Sequence, residues 1–276
     1  MKRLLDWRVY FIWLMVLALG AGLTPTPAQA AGRQQIQVFA ASSLTETVAD
    51  LARNFAKAHP GATVVPTCAA SSTLRLQVEQ GASPDVFLSA DFKNIAALGR
   101  GKFLVGSYLP FANNHMVIII PANNPGKIKS IKDLARPNLS LVACSTEIPV
   151  GNYTLQVLQK LQASKQFGPR YQLNVQANFR SLEPNVKGIV TKVMTGDADA
   201  GICYASDVTP SVARRVKVIP IPAQYNVRAT QYIAVVKDGS NRCLAQEFVK
   251  FTLSPMGQRI LKCHGLLPVK PACAGK

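Results

Sequence analysis

Short apolar runs alternate with segments of helical periodicity along most of the chain. In the first helical segment, apolar residues recur at Leu44, Val48, Leu51 and Phe55, which places them on one face of a helix over 44–58. The same pattern predicts further helices over 73–80, 153–161 and 185–194, and strands over 36–40, 64–68, 85–89, 116–120, 139–144, 174–179, 200–204 and 230–236. Such alternation is typical of an α/β fold with mainly parallel sheets.

The alternation occurs twice, which predicts two similar lobes, each a mainly parallel sheet flanked by helices, with a ligand site in the cleft between them. The chain is expected to cross between lobes near Asn114 and Thr230. Lobe one would then comprise 31–114 plus 230–276, and lobe two 115–229. Two helices are expected near the C-terminus, the second starting with Ser254 as its cap and Pro255 at the first helical position.

The N-terminus has the pattern of a cleaved signal peptide over residues 1–30. Lys2, Arg3 and Arg8 precede an apolar stretch over 10–23, and small residues follow at 28–30. The apolar stretch is shorter than the roughly 20 residues that span a bilayer. No cysteine directly follows the small residues, so a lipid anchor is not expected. We therefore expect a periplasmic protein.

The formal charge of the chain is +17. Such an excess favours anionic partners and long-range attraction of small anions. Nucleic acid is not an expected partner, because the protein is predicted to be exported and shows no basic run with interleaved aromatic residues.

Cysteine residues add a prediction about redox state. An even number of cysteines in an exported protein suggests disulfides, although six cysteines allow fifteen pairings. None of them has the spacing of a zinc site, and no metal or other cofactor is expected. The six are Cys68, Cys144, Cys203, Cys243, Cys263 and Cys273.

Candidate binding groups lie where predicted strands meet predicted helices. Ser43 and Glu46 fit a capping box at the start of the first helix, and Ser71 follows the second strand in the same way. In the second half, helices are expected to open near 149–151 and 184–186. Helix N-termini expose unpaired N–H groups and about half a positive charge each, so four of them suit a dianion without any Lys or Arg.

Motifs at these junctions resemble those of periplasmic molybdate-binding proteins, the receptors of molybdate ABC importers. The resemblance covers about 34–268, and its fold is the two-lobed periplasmic-binding-protein fold. The segments that carry it are VFAASSLT at 38–45, ASSTL at 70–74, PDVFLSAD at 84–91, PVG at 149–151, NVK at 185–187 and GDADAGICYASD at 196–207.

The resemblance implies how a molybdate or tungstate ion is held. The implied ligand-binding residues are Ser43, Ser71 (or Ser72 beside it), Val150, Val186 and Tyr204, with the two valines donating through backbone N–H groups. The family also implies an inner-membrane ABC permease as partner, and we expect a monomer. Its strand order would make the strands ending at Cys144 and Cys203 neighbours, which suggests a disulfide between these cysteines.

Three other functions remain open at this point. The nearest is a receptor for sulfate, thiosulfate or phosphate with the same fold, and another is a sensory domain that has lost its ligand. The third is a secreted serine hydrolase using Ser43 or Ser71. The histidines His59, His115 and His264 are scattered, however, and no nucleophile-elbow or phosphate-loop motif is present. We therefore expect no enzymatic activity.

Overall fold

Two five-stranded mixed sheets organise residues 34–269, the part of the chain that this computed structural model describes. The predicted signal peptide over 1–30 and Cys273 lie outside the described residues. The strands are β1 (Gln34–Ala41), β2 (Ala62–Ala69), β3 (Val86–Ser89), β4 (Leu104–Asn114), β5 (Met116–Pro121), β6 (Leu141–Cys144), β7 (Phe179–Glu183), β8 (Ala200–Tyr204), β9 (Val216–Pro220) and β10 (Ala229–Val236).

Helices connect these strands and cover the sheets. The α-helices are α1 (Thr45–Ala58), α2 (Ser71–Glu79), α3 (Phe92–Arg100), α4 (Pro149–Ala163), α5 (Tyr171–Ala177), α6 (Val186–Thr195), α7 (Pro210–Ala213), α8 (Arg242–Leu253) and α9 (Pro255–Cys263). Short 3₁₀ turns occur at Ser42–Leu44, Ile131–Ala135 and Ala205–Asp207.

Both sheets follow one topological plan. The first has the strand order β2-β1-β3-β10-β4 and the second β7-β6-β8-β5-β9. In each, three neighbouring strands are parallel and two further strands continue the sheet in antiparallel pairing. The architecture is therefore α/β with two lobes, as predicted. We call the part built on the first sheet lobe one and the part built on the second sheet lobe two.

Apolar periodicity explains how these elements are buried. All six residues of β5 are buried, as the continuous apolar run predicts for a strand covered on both faces. Helix α1 buries Val48, Leu51 and Phe55 on its predicted face. The C-terminal helices α8 and α9 pack on lobe one, and Ser254 caps α9 by accepting a hydrogen bond from the Gly257 N–H.

The predicted strand over 174–179 is wrong. Helix α5 occupies most of this segment, and the strand β7 begins only at Phe179. The buried residues of α5 are Tyr171 and Val175, which lie four positions apart, as expected for one face of a helix. Two apolar positions are too few for this helical period to be recognised in the sequence. The strands β4 and β9 were not predicted, because their half-exposed residues lack a continuous apolar run.

The structure contains no bond between Cys144 and Cys203, so this predicted disulfide is not formed in it. Both are buried free thiols. Their strands are neighbours as expected, and each cysteine lies two residues beyond the paired Val142 and Gly201. Parallel neighbours lie about 4.8 Å apart. Side chains that point the same way keep their Cβ atoms near that separation, beyond the roughly 3.8 Å typical of a disulfide.

Two kinds of feature are absent from residues 34–269. No helix in this range is long and apolar enough to cross a membrane. The same range contains no cluster of three His, Cys, Asp or Glu side chains suited to a metal ion.

Candidate functional site

A small cavity lies where the strand ends of the two lobes meet. Its volume is about 10 Å³, close to the least that a single water molecule requires. The five residues predicted from the sequence all line this cavity, together with neighbours from the same strand-to-helix junctions. The lining comprises Ala41, Ser42, Ser43, Ala70, Ser71, Ala90, Ile148, Pro149, Val150, Val186 and Tyr204.

Ser43 reaches the cavity from the turn that follows β1. The predicted capping box is wrong, because residues 42–44 form a 3₁₀ turn and Leu44 takes the N-cap position of α1 without a side-chain bond. The Ser43 hydroxyl is therefore not used by the helix. It is buried, and among the described residues its Oγ has no hydrogen-bond partner. A buried hydroxyl without a partner costs about 1–3 kcal/mol, which a bound ligand could recover.

Ser71 is the first residue of α2, preceded by Ala70 at an N-cap without a side-chain bond. Its Oγ accepts a hydrogen bond of 3.0 Å from the Ala90 N–H. One lone pair of the hydroxyl is thus occupied, while its own hydrogen stays available for donation. Ser72 does not line the cavity, so of the two adjacent serines it is Ser71 that the fold presents there.

Helix α4 presents backbone N–H groups to the cavity from lobe two. It begins at Pro149, and its N-cap Ile148 makes no side-chain bond, so the Val150 N–H has neither a capping side chain nor an intrahelical acceptor. Gly151 follows directly. A Cβ atom at Gly151 would lie 2.6 Å from the Cys144 carbonyl oxygen and closer still to that of Ser145. Only glycine lets this helix start approach the end of β6.

Helix α6 presents a second N-terminus. Asn185 caps it, and its Oδ1 accepts hydrogen bonds from Lys187 N–H at 2.9 Å and Gly188 N–H at 3.3 Å. This leaves the Val186 N–H, in the first turn, without an intrahelical acceptor. The cap thus satisfies the second and third amides of the helix and leaves the first for the cavity.

Tyr204 closes the cavity at the end of β8. It is 1% exposed, and its hydroxyl has no hydrogen-bond partner among residues 34–269. Burial raises the pKa of this phenol well above its usual 10, with the nearby Tyr153 and Asp91 adding to the shift. The ring of Tyr153 packs edge-on against it, with 6.2 Å between centroids. Tyr204 therefore stays protonated and can act as a hydrogen-bond donor.

Among residues 34–269, no Lys, Arg, Asp or Glu lines the cavity. What it offers is a set of neutral groups: the hydroxyls of four side chains (Ser42, Ser43, Ser71 and Tyr204) and the N–H groups of several helix N-termini. Such a set is suited to a small anion, since the N-terminal turns supply partial positive charge and unpaired N–H groups.

Charged residues lie just outside the lining. Lys187, next to Val186, forms an ion pair with Glu46 at 2.8 Å and lies 3.6 Å from Asp207. Asp207 is fully buried, and burial raises its pKa to about 7 against the opposing effect of Lys187. The sequence motifs contained Lys187 and Asp207 but did not indicate a role for either, because their proximity depends on how α6 and β8 pack.

Comparison with known proteins decides the family. The family model for bacterial extracellular solute-binding proteins matches residues 36–267. The chain belongs to this family. Among solute-binding proteins of known kind, the molybdate-binding protein ModA of Mycobacterium bovis is 36% identical over 234 residues, which are 85% of each chain.

Solved structures agree with this assignment. A solute-binding domain described as part of a molybdenum ABC transporter from Clostridium difficile has a TM-score of 0.64 and 27% identity, covering 86% of this chain and 99% of that one. The sulfate-binding protein SubI from Mycobacterium tuberculosis has a TM-score of 0.76 at 18% identity, covering 87% and 88%. At 18% identity, the similarity to SubI shows a common fold and nothing about the ligand. Solute-binding proteins of this kind are transport components rather than enzymes.

Proposed function

We propose that this protein is the substrate-binding component of an ABC importer and captures molybdate, and also tungstate, between its two lobes. Membership of the solute-binding family and the 36% sequence identity to a molybdate-binding protein support this proposal. The structural observation that carries it is the pair of buried hydroxyls, Ser43 Oγ and Tyr204 Oη, that face one cavity without a partner. An oxyanion provides the acceptors that these donors lack.

The hydrogen-bond donors around the cavity indicate which class of anion it would bind. The Ser43 and Tyr204 hydroxyls and the Val150 and Val186 amides would all donate, and Ser71 already accepts from Ala90. A fully deprotonated tetrahedral dianion can accept from all of them. A protonated phosphate would set its own O–H against groups that are themselves donors, which leaves a buried donor unpaired. Molybdate and tungstate, which share charge and nearly share size, should bind about equally.

Capture requires the lobes to move. The cavity of about 10 Å³ is too small for a four-oxygen anion, so the lobes must part for the ligand to enter and then close around it to an arrangement slightly wider than this one. A ligand shifts this equilibrium only by its differential affinity for the closed arrangement. The closed arrangement would bind the anion more tightly, because the donors of both lobes contact it there. In the open form the anion would contact the donors of one lobe only.

Export and delivery complete the proposal. We place the mature protein in the periplasm after removal of residues 1–30, as a non-enzymatic monomer that hands its ligand to an inner-membrane permease. No cofactor is required. The net charge of +17 would attract anions over a distance rather than bind them, since the cavity lining itself has no formal cation.

Calorimetric titration of the mature protein with molybdate, tungstate and sulfate tests the proposal. We expect one site per chain, comparable affinity for the first two anions, and weaker binding of sulfate, because selection between dianions of equal charge would come from the size of the cavity. Equal affinity for sulfate and molybdate would instead identify a sulfate receptor of the same fold.

A serine hydrolase is poorly supported by the site. Ser43 Oγ has no hydrogen-bond partner among the described residues, so no general base activates it, and His264 pairs with Asp50 at 2.5 Å instead. Absence of ester hydrolysis by the wild-type protein would remove this alternative.

A further inference from the structure

One side chain outside the cavity connects both lobes. The Lys187 ammonium, on α6 of lobe two, contacts both carboxylate oxygens of Glu46 on α1 of lobe one, at 2.8 and 3.0 Å. The same ammonium lies 3.6 Å from Oδ1 of Asp207 in lobe two. One cation thus lies near two carboxyl groups, that of Glu46 across the cleft and that of Asp207 in its own lobe.

Each member of this trio lies within three residues of a residue that lines the cavity. Glu46 comes three residues after Ser43, and Asp207 three residues after Tyr204. Lys187 directly follows Val186. In addition, Asp207 Oδ2 accepts a hydrogen bond of 3.2 Å from the Tyr204 N–H. The trio therefore connects the segments that contain Ser43, Val186 and Tyr204, although none of its own side chains lines the cavity.

We propose that Lys187 is a positioning residue whose ion pair with Glu46 holds the lobes closed and thereby slows release of the captured anion. This inference rests on the proposed function. The Lys187–Glu46 contact exists only when the lobes are closed, so it contributes to the closed state alone. Any such contribution appears as tighter binding of a ligand that requires closure.

This pair is less exposed than an ordinary surface contact, and a third charged group lies behind it. The side chains of Lys187 and Glu46 are 29% and 45% exposed, and Asp207 is fully buried. Lys187 and Asp207 both belong to lobe two, so their proximity does not depend on closure. We expect Asp207 to restrict the Lys187 side chain when the lobes part, so that closure costs less side-chain entropy than it would for two free partners.

A second ion pair across the cleft supplies a matched control. Lys93 of lobe one contacts Glu147 of lobe two at 2.8 Å, but these side chains are 55% and 75% exposed. Exposed pairs contribute little because water and salt screen them. The two pairs have the same chemistry and both cross the cleft, and they differ in burial.

The decisive variant is Glu46→Gln, which weakens the cross-lobe pair while leaving Lys187 beside Asp207. We expect the Kd for molybdate to rise about fivefold, mainly through faster dissociation in stopped-flow measurements, with the association rate nearly unchanged. The control Glu147→Gln should change Kd less than about twofold. The effect of Glu46→Gln should shrink in high salt.

A second pair of variants separates positioning from folding. Lys187→Met removes the cation but leaves the buried Asp207 unpaired, so its thermal stability should fall. Lys187→Met combined with Asp207→Asn should recover stability while dissociation stays fast. If Lys187 were only structural, the double variant would release molybdate at the wild-type rate.

The outcomes distinguish this inference from the proposed function. Wild-type protein that fails to bind molybdate contradicts the proposed function itself. Wild-type protein that binds, with Glu46→Gln releasing the anion at the same rate as wild type and Glu147→Gln, overturns the role of Lys187 alone.

Discussion

The two lobes share a strand order but contribute different donors to the site. Lobe one offers the side-chain hydroxyls Ser43 and Ser71, whereas lobe two offers the helix-start amides of Val150 and Val186 together with the Tyr204 hydroxyl. The common plan places strand ends and helix starts at the same edge. What each junction presents there is decided locally, by which cap the helix uses and which donor that cap leaves free.

This difference has a consequence for mutation. A hydroxyl can be deleted by a single substitution, whereas a backbone amide can only be displaced. Lobe one should therefore respond to side-chain deletions, and lobe two both to deletion of the Tyr204 hydroxyl and to changes that move a helix start.

The largest effect is expected for Gly151→Ala in lobe two. The new Cβ would lie 2.6 Å from the Cys144 carbonyl oxygen, so the start of α4 must shift away from β6. We expect the protein to lose about 1–3 kcal/mol of stability and molybdate affinity to fall at least about tenfold, because displaced amides no longer meet the anion. Thermal unfolding and calorimetry measure both.

Gly99→Ala is the control for this prediction. A Cβ there would meet a Tyr108 side-chain carbon at 3.2 Å, and an aromatic side chain at the surface can yield where a backbone carbonyl cannot. Gly99→Ala should bind normally. Normal binding by Gly151→Ala as well would show that the start of α4 does not hold the ligand.

Next in size are Ser43→Ala in lobe one and Tyr204→Phe in lobe two. Each deletes a hydroxyl that has no protein partner among residues 34–269, so each should weaken molybdate binding by about 1–3 kcal/mol. The unliganded proteins should be at least as stable as wild type. Calorimetry and thermal unfolding without ligand test the two halves of this expectation.

Ser71→Ala sharpens the comparison within lobe one. Its hydroxyl accepts from the Ala90 N–H, so deletion leaves a buried amide unpaired and should lower the stability of the unliganded protein as well as affinity. If Ser43→Ala destabilised the unliganded protein as much as Ser71→Ala does, the distinction between the two serines would be wrong.

A smaller effect is expected from the pH dependence of stability that Asp207 contributes in lobe two. Burial raises the pKa of Asp207 from its usual 3.8 to about 7. The folded state therefore holds a proton more firmly than the unfolded chain does. The resulting stability is fully present below about pH 4 and is lost as pH rises through about 7.

Thermal unfolding between about pH 5 and pH 8 tests this linkage. The wild-type midpoint should fall with rising pH more than that of Asp207→Asn, since other titrating groups are common to both proteins. Equal slopes would show that Asp207 does not hold this proton.

The smallest effect is expected for Val150→Ala. The residue donates through its backbone, so the affinity for molybdate should change less than about twofold, even though the loss of buried methyl groups lowers stability. A large loss of affinity would mean that the Val150 side chain shapes the cavity.

Periodicity along the chain was sufficient to predict most of the fold. Helix α1 and the buried strands β1, β5 and β8 carry apolar patterns that admit one interpretation, and the structure contains them. The pattern failed for α5, a short helix with two buried residues, and for the half-exposed strands β4 and β9. Elements that bury little leave little periodicity in the sequence.

The candidate site, like the fold, was predicted only in part. The family resemblance, which is carried by short motifs at strand-to-helix junctions, named Ser43, Ser71, Val150, Val186 and Tyr204, and the fold brings these five residues to one cavity. The capping role predicted for Ser43 was wrong, since a 3₁₀ turn replaces the first turn of the helix. That difference is what frees its hydroxyl.

The sequence by itself determined the α/β class, the two-lobed plan and the residues at the junctions, since each of these is expressed over a few consecutive residues. Only the tertiary structure decided that Cys144 and Cys203 remain thiols, and that Lys187 reaches Glu46 across the cleft and Asp207 beside it. These are relations between segments far apart along the chain. They depend on strand spacing and lobe packing to within a few ångströms, which local patterns do not encode.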